Sequence, residues 1–203
     1  MTTSGKIELM APSGNFESMQ AALDNGCDSI YFGVEQLNMR ARATVNFVLD
    51  DLPEIARRCN EKNVRTYLTL NTIIYDHDLS VVKTLLAKAK EAGITAIIAS
   101  DQAVIMSAKT MGIEVHISTQ LNVTNIETVK FYALFADTIV LSRELSLRQV
   151  KKITEDIEKE QIKGPSGHLV EIEIFGHGAL CMAVSGKCYL SLHSHNSSAN
   201  RGA

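Results

Sequence analysis

The sequence predicts an α/β fold of repeated βα units with parallel strands, similar to a TIM barrel. Seven short apolar runs alternate with stretches of helical periodicity along the 203 residues. The runs are continuously apolar, which is typical of strands buried on both faces of a parallel sheet. Because a complete barrel has eight strands in about 250 residues, seven runs predict an incomplete barrel whose eighth unit is missing. A doubly wound open sheet is the alternative, although no glycine-rich dinucleotide fingerprint follows the first run.

The seven predicted strands follow one another without a linker or a low-complexity segment. They span residues 7–11, 29–32, 65–70, 96–99, 114–117, 138–141 and 169–175. Residues 1–203 are therefore predicted to form a single, partial barrel domain, in which residues 173–191 form a cysteine-containing segment.

Six helices are predicted from residues that favour helix starts and stops. The first begins near Ser18 and stops at an Asn-Gly pair, residues 25–26. Two others match a capping box, in which a hydroxyl bonds the amide three residues on: Thr124 with Glu127, and Ser146 with Gln149. The remaining helices are predicted to begin at Asp51, Asp78 and Ser100.

Composition and charge exclude several classes of protein. The apolar share of 45% and the charged share of 21% are ordinary for a soluble globular chain. A net charge of -3 gives no general attraction to nucleic acid or anionic membranes, although a local patch could still bind RNA. No apolar run approaches the ~20 residues of a membrane span, and the N-terminus lacks a signal peptide. Four cysteines in a chain of this length do not form a secreted disulfide framework. We therefore expect a cytoplasmic protein without a membrane partner.

Polar side chains follow the predicted strands, at the end where barrels build their active sites. Helix capping explains some of them, but it does not explain the arginines and amides. Such groups converging on one face would bind a phosphate or a carboxylate, and the alternative is surface ion pairing, for example of Arg143 with Glu144 or Asp101. The candidate catalytic residues are Asn71, Gln120, Arg143 and His177, and the candidate substrate-binding residues are Arg40, Arg42 and Asn122.

The cysteine-containing segment carries the strongest chemical signal. Cys181 and Cys188 lie in a glycine-rich stretch after the last strand. They could be two reduced thiols in a tight loop, a zinc site with His193 and His195, a nucleophile with a histidine base, or ligands of an iron–sulfur cluster. The spacing of the two cysteines is poor for zinc, and a cluster requires four thiolates.

The other two cysteines do not complete such a site. Cys27 and Cys59 are predicted to be packing residues, so the chain is two ligands short of a cluster. The sequence has no HExxH zinc motif and no GxSxG nucleophile elbow. His116 lies within a predicted strand and is interpreted as a satisfied interior group rather than a metal ligand.

The cysteine-containing segment resembles the signature of the peptidase U32 family, the collagenase-like peptidases. The similarity continues through residues 11–14, 31–33, 70–72, 118–120, 140–146 and 198–202, so it covers essentially the whole chain. Among the branches of the family, the chain is most similar to the collagenase type. The signature residues are Glu173, Phe175, His177, Cys181, Gly186, Cys188 and Ser191.

The resemblance implies three alternatives, namely collagen degradation, support of a hydroxylation reaction, or an inactive fragment. Some members are named for collagen degradation, whereas others support hydroxylation of tRNA or ribosomal RNA bases, or of the ubiquinone ring, and some of these carry a 4Fe–4S cluster on four cysteines. Cys181 and Cys188 match the first two cluster positions, and the resemblance places the other two beyond residue 203. The implied substrate is thus RNA or a peptide, and the implied cofactor is the cluster, with zinc or no cofactor as the alternatives. The third expectation is an inactive fragment lacking the family's C-terminal part, whose strand edges could pair in a homo-oligomer.

Overall fold

Seven parallel strands form one curled sheet in the part of the chain that the computed structural model describes. That part comprises residues 7–34, 37, 47–178, 181, 183–189, 191, 193, 198 and 200. The strands lie in the sheet in the order in which they occur in the sequence, and each neighbouring pair is parallel. The predicted barrel-like fold with seven strands is therefore confirmed.

Helices and strands alternate along the chain. The strands are β1 (Met10–Pro12), β2 (Ser29–Phe32), β3 (Arg65–Leu70), β4 (Ala96–Ala99), β5 (Glu114–Ile117), β6 (Thr138–Val140) and β7 (Glu171–Glu173). The helices are α1 (Phe16–Asp24), α2 (Leu52–Glu61), α3 (Leu79–Ala92), α4 (Gln102–Thr110), α5 (Ile126–Ala133) and α6 (Leu147–Glu160). In the described part of the chain, none of these helices has the length and apolar character needed to cross a membrane.

The main hydrophobic core lies between the sheet and its helices. Crossovers between parallel strands are right-handed, so an order that never reverses places every helix on the same face of the sheet. Ile30, Leu68, Ile97, Ile117 and Ile139 from five successive strands lie in this core. A doubly wound sheet requires a reversal of strand order, which this sheet does not have.

The opposite face of the sheet forms the interior of the curl. Because side chains alternate along a strand, the neighbours of the core residues point inward. Tyr67, Ala96 and Ile98 form a small second cluster there, against which Met10 and Tyr31 pack. This inner face also carries polar groups: the Tyr67 hydroxyl donates a hydrogen bond of 2.7 Å to Glu8.

The first and last strands are shorter than predicted. β1 excludes Ile7, whose surface is 90% exposed, and β7 excludes Phe175, which is 53% exposed. Leu169, predicted as the start of the last strand, forms an antiparallel bridge with Lys163 instead. Apolar character alone overestimates these strands because Ile7 and Phe175 are apolar but largely exposed.

Three predicted helix starts are displaced by one or more residues. The Asn15 side chain accepts a hydrogen bond from the Ser18 amide, so Ser18 is the third residue of α1 rather than its cap. Asp101, not Ser100, caps α4 by accepting from the Ala103 amide. Asn125, not Thr124, caps α5. In each case a carboxylate or amide oxygen replaces the hydroxyl that the sequence suggests.

The three other predicted starts are confirmed, since Asp51, Asp78 and Ser146 directly precede α2, α3 and α6, although two of the side chains have a different local role. The carboxylates of Asp51 and Asp78 accept from the Val48 and Tyr75 amides, which precede them in short 3₁₀ turns, rather than from their own α-helices. Ser146 forms the predicted capping box with Gln149 at the start of α6.

Candidate functional site

The loops that follow β5 and β6 are joined at the carboxyl edge of the sheet. The Ser142 amide donates to the Val123 carbonyl over 2.9 Å, and the Ser142 hydroxyl lies 2.8 Å from Asn122 Oδ1. Asn122 adopts a left-handed conformation with φ of 52°, which asparagine tolerates better than most residues. Two predicted site residues, Asn122 and Arg143, thereby lie on adjacent loops that are bonded to each other.

The turn between the two cysteines docks on these loops. Its amide at Lys187 donates to the Val184 carbonyl over 2.9 Å, which closes a β-turn. Within it, the Ser185 amide donates to Glu144 Oε1 over 2.7 Å, and the Ser185 hydroxyl lies 3.1 Å from Glu144 Oε2. Ser185 is only 1% exposed. The cysteine-containing segment is therefore fixed to the loop after β6.

A glycine permits this turn to approach the loop after β5. Gly186 has φ of 76°, and a Cβ at this position would lie 2.0 Å from the Gln120 carbonyl oxygen. Since a non-bonded carbon cannot approach an oxygen that closely, any larger residue would displace the turn. The backbone of Gln120, a predicted catalytic residue, thus lies directly against the cysteine turn.

A second segment near the C-terminus links the turn to the loop after β3. The Asn200 side chain donates to the Gly186 carbonyl over 3.2 Å. The Asn200 carbonyl accepts from the Ile73 amide over 3.0 Å. Asn71, another predicted catalytic residue, lies half-buried at the start of the same loop. Three loops of the carboxyl edge, those after β3, β5 and β6, are therefore connected through the cysteine turn.

The other predicted site residues differ in placement. Arg143 is exposed and its guanidinium lies 3.4 Å from the Ala183 carbonyl oxygen. His177 is exposed in the stretch after β7, and no hydrogen bond among the described residues involves its side chain. Arg40, Arg42 and His195 lie outside the described residues.

The four cysteines separate into two groups. Cys181 is exposed and Cys188 is half-buried at the docked turn, whereas Cys27 and Cys59 are buried. Burial, followed by the charge of Asp28, raises the pKa of the Cys27 thiol. Burial also raises the pKa of Cys59 to about 11. These two thiols stay protonated at neutral pH and pack in the core with the helices, as predicted.

Soft thiolates suit a metal or cluster, and the cysteine turn offers two of them. Among the described residues, no group of three or more histidine, cysteine, aspartate or glutamate side chains lies close enough to hold a metal ion. Cys181 and Cys188 are thus compatible with part of a ligand set, and Cys27 and Cys59 belong to the core instead.

Glu144, Ser185 and Asn200 are the site residues that the sequence does not single out. Glu144 is recognisable only as a charged residue after a strand, and Ser185 only as part of a turn. Their contact joins residues 41 positions apart, which no local pattern indicates. The glycine at 186, between the two cysteines, is the one sequence signal of a close backbone approach.

A second group of ionisable side chains lies on the inner face of the sheet. His116 is 3% exposed; its Nε2 lies 3.2 Å from Glu114 and its Nδ1 lies 3.8 Å from Glu173. Its ring packs on Tyr67 with centroids 4.5 Å apart. Burial lowers the pKa of His116, but the contacts with Glu114 and Glu173 outweigh it, so the pKa is raised overall. The predicted interior location is confirmed, although Nδ1 has no hydrogen-bond partner among the described residues.

Sequence comparison relates the chain to one family. A model of peptidase family U32 matches residues 14–203. The chain is 58% identical over 197 residues to a collagenase of Porphyromonas gingivalis, covering 97% of this chain and 48% of that protein. It is 33% identical over 204 residues to tRNA hydroxylation protein P of Helicobacter pylori, covering 98% and 45%. The chain therefore spans about half the length of these curated relatives.

Structural comparison supports the same fold. A solved U32 peptidase superposes with a TM-score of 0.59 at 15% identity, covering 86% of this chain and 70% of that one. A phosphonopyruvate hydrolase gives a TM-score of 0.54 at 14% identity, covering 86% and 76%. At such low identity, these similarities concern the fold alone.

Proposed function

The chain belongs to peptidase family U32, and from this premise we propose that it is the barrel portion of an iron–sulfur protein that supports hydroxylation of RNA bases. Relatives named for tRNA hydroxylation share 30–33% identity with nearly the whole chain. A relative in Escherichia coli named as a 23S rRNA 5-hydroxycytidine synthase is 32% identical over 201 residues.

The observation that carries this proposal is the position of the two non-core thiols. Cys181 and Cys188 flank a turn that is docked at the carboxyl edge, through Ser185 on one loop and Gly186 on another. Barrel enzymes place their reacting groups at this edge. A turn fixed by several hydrogen bonds can hold soft ligands in a constant geometry.

Cys181 and Cys188 would supply two of the four thiolates of a 4Fe–4S cluster. When bound, such a cluster supplies one-electron redox chemistry. The other two ligands are proposed to lie outside these 203 residues, because Cys27 and Cys59 are buried in the core. His177, Gln120 and Asn71 stay candidate catalytic residues on this proposal.

Arg143 is the described residue best suited to contact RNA. The residue is exposed beside the docked turn, and among the described residues its guanidinium lies 3.4 Å from the Ala183 carbonyl oxygen. Guanidinium groups bind phosphate in a bidentate manner, and phosphate contacts position a nucleic acid without reading its sequence. Arg40, Arg42 and Asn122 are proposed to extend this contact. Because the net charge is -3, such binding depends on this local group of cations.

The first experiment measures the cluster. The protein, extended beyond Ala203 to the length of its relatives, is purified anaerobically and analysed for iron, acid-labile sulfide and visible absorption. We expect stoichiometric iron and sulfide, lost in Cys181→Ser and in Cys188→Ser. The matched control is Cys27→Ser, a substitution of the same kind at a core thiol, which we expect to retain the cluster. Iron-free protein, or iron retained in both ligand variants, would refute the cluster.

The second experiment measures the reaction. Total RNA from a strain lacking the gene, complemented with either the wild-type gene or the Cys181→Ser variant, is digested and analysed by mass spectrometry. We expect a hydroxylated base to be restored by the wild-type gene alone. If the deletion removes no hydroxylated base, the RNA role is wrong.

A second candidate function is proteolysis of collagen-like substrates. It is favoured by the 58% identity to a protein named collagenase. His177 and Cys181, four residues apart and both exposed, would be the base and the nucleophile. Incubation of the extended protein with gelatin, with and without added divalent metals, tests this function. Degradation that is lost in His177→Ala and Cys181→Ser would favour proteolysis, and intact gelatin would exclude it.

A further inference from the structure

We infer that Glu144 is a positioning residue that holds the turn between Cys181 and Cys188 on the barrel. This inference rests on the proposed role of these cysteines as ligands, but the anchoring itself can be measured without any metal. Glu144 lies in the loop after β6, whereas the turn lies after β7. The contact therefore fixes the cysteine-containing segment relative to the sheet.

Both carboxylate oxygens of Glu144 are used by one residue of the turn. Oε1 accepts from the Ser185 amide at 2.7 Å, and Oε2 accepts from the Ser185 hydroxyl at 3.1 Å. The Ser142 hydroxyl also contacts Oε2 from the barrel side. The shorter contact has the length of a charge-assisted hydrogen bond, which is roughly twice as strong as a neutral one.

The carboxylate is ionised at neutral pH. Burial raises the pKa of Glu144, but hydrogen bonds from the backbone amides of Ser185 and Glu144, the Ser185 hydroxyl and the charge of Arg143 outweigh it. The pKa therefore lies below its ordinary value. The charged anchor is thus present throughout the neutral range.

Among the described residues, the other contacts of the turn do not replace this anchor. The Thr119 hydroxyl lies 3.4 Å from the Ser185 hydroxyl, and Asn200 bonds the Gly186 carbonyl. Neither offers an acceptor to the Ser185 amide, and Ser185 is almost completely buried. A buried amide without an acceptor is unfavourable, so loss of the Glu144 side chain favours undocking of the turn.

Undocking should be visible in the reactivity of Cys188. Cys188 is only partly exposed in the docked turn, and alkylation requires a solvent-accessible thiol. In metal-free extended protein, iodoacetamide labelling is followed for each cysteine-containing peptide by mass spectrometry. We expect Glu144→Ala to raise the labelling rate of Cys188 about tenfold, since a hydrogen bond to a charged group contributes enough free energy for such a change.

Two comparisons make the result specific. Glu158→Ala, on the exposed surface of α6, is the matched loss of a carboxylate and should leave the Cys188 rate unchanged. Cys27 and Cys59 report on the core and should stay protected in Glu144→Ala. Glu144→Gln, which keeps one oxygen acceptor, should give an intermediate rate. An unchanged Cys188 rate in Glu144→Ala, with the core protected, would overturn the inference.

If Glu144→Ala exposes the core cysteines as well, Ser185→Ala decides. This variant removes the hydroxyl contacts but keeps the hydrogen bond from the backbone amide of residue 185 to Glu144, so a smaller rise in the Cys188 labelling rate is expected. No rise in either Ser185→Ala or Glu144→Gln overturns the anchor. Iron analysis of the same proteins separates the two proposals. Iron-free wild-type protein refutes the cluster and leaves the labelling result intact, whereas bound iron with unchanged labelling refutes only the anchor.

Discussion

Gly186 is the residue whose identity is most constrained at the site. Its positive φ disfavours any side chain, and a Cβ would lie 2.0 Å from the Gln120 carbonyl oxygen. We expect Gly186→Ala to lower the free energy of unfolding by about 1–3 kcal/mol, as a strained backbone position does. Chemical denaturation followed by circular dichroism measures this change. Gly14→Ala is the control, because nothing lies within 4 Å of a Cβ at Gly14; equal losses in both variants would contradict the explanation.

His116 gives the stability of the protein a pH dependence. Its pKa is raised in the folded state above the ordinary 6.5, because Glu114 and Glu173 outweigh the effect of burial. Protonation of His116 therefore stabilises the folded state below pH 6.5, and this contribution is lost as the pH rises through the folded pKa.

The change that tests this dependence is His116→Gln, which retains a polar side chain without the titration. Urea denaturation of both proteins at a series of pH values measures it. We expect the wild-type protein to lose stability relative to the variant as the pH rises above 6.5. Parallel pH profiles would show that His116 does not titrate between Glu114 and Glu173, the two carboxylates that its ring nitrogens face.

At the level of single residues, the sequence predicts which side chains carry chemistry better than it predicts which side chains contact one another. Cys181 and Cys188 are correctly separated from the two core cysteines, because the core cysteines lie in a strand lead-in and a helix. Glu144 is noticed only as a possible partner of Arg143, since its separation of 41 positions from Ser185 leaves no local signal. The roles of Asn71, Gln120, Asn122, Arg143 and His177 stay predictions.

Helix α5 shows how a correctly predicted element can carry a wrongly assigned cap. The Asn125 side chain accepts from the Thr128 amide at 2.9 Å, whereas the sequence favours Thr124. We expect Asn125→Ala to lower the free energy of unfolding by about 1 kcal/mol, the ordinary cost of losing an N-cap. Thr124→Ala, at an exposed position one residue earlier, should have little effect. Thermal or chemical denaturation compares the two, and a larger loss in Thr124→Ala would restore the sequence-based assignment.

The strands and helices themselves are largely predictable from the sequence. β2 to β5 have the predicted bounds, because continuous apolar runs between capped helices are typical of a parallel sheet. β6 ends one residue earlier than predicted, and the larger errors fall at β1 and β7, where residues such as Ile7 and Phe175 are apolar but exposed. Apolar character reports burial only where a neighbouring element exists to provide it.

The central strands of the sheet have more pairing partners than the strands at its two edges. β3 and β4 are paired on both sides, whereas β1 pairs only with β2, and β7 only with β6, among the described residues. We expect the amides of β3 and β4 to exchange with solvent most slowly and those of β1 and β7 to exchange much faster. Hydrogen exchange followed by mass spectrometry measures this pattern. Equal protection of the β7 and β4 amides would show that the β7 edge has a further partner. Pairing through these edges in a homo-oligomer stays a prediction.

The docked turn also determines the order in which the parts of the site form during synthesis of the chain. During translation, Glu144 emerges from the ribosome well before Ser185. Asn200, whose side chain donates to the Gly186 carbonyl, emerges after both. The strands that carry the loops after β3, β5 and β6 can therefore already be assembled when the thiols appear. Because the turn docks on loops that have already been synthesised, the arrangement of Cys181 and Cys188 follows the assembly of these strands.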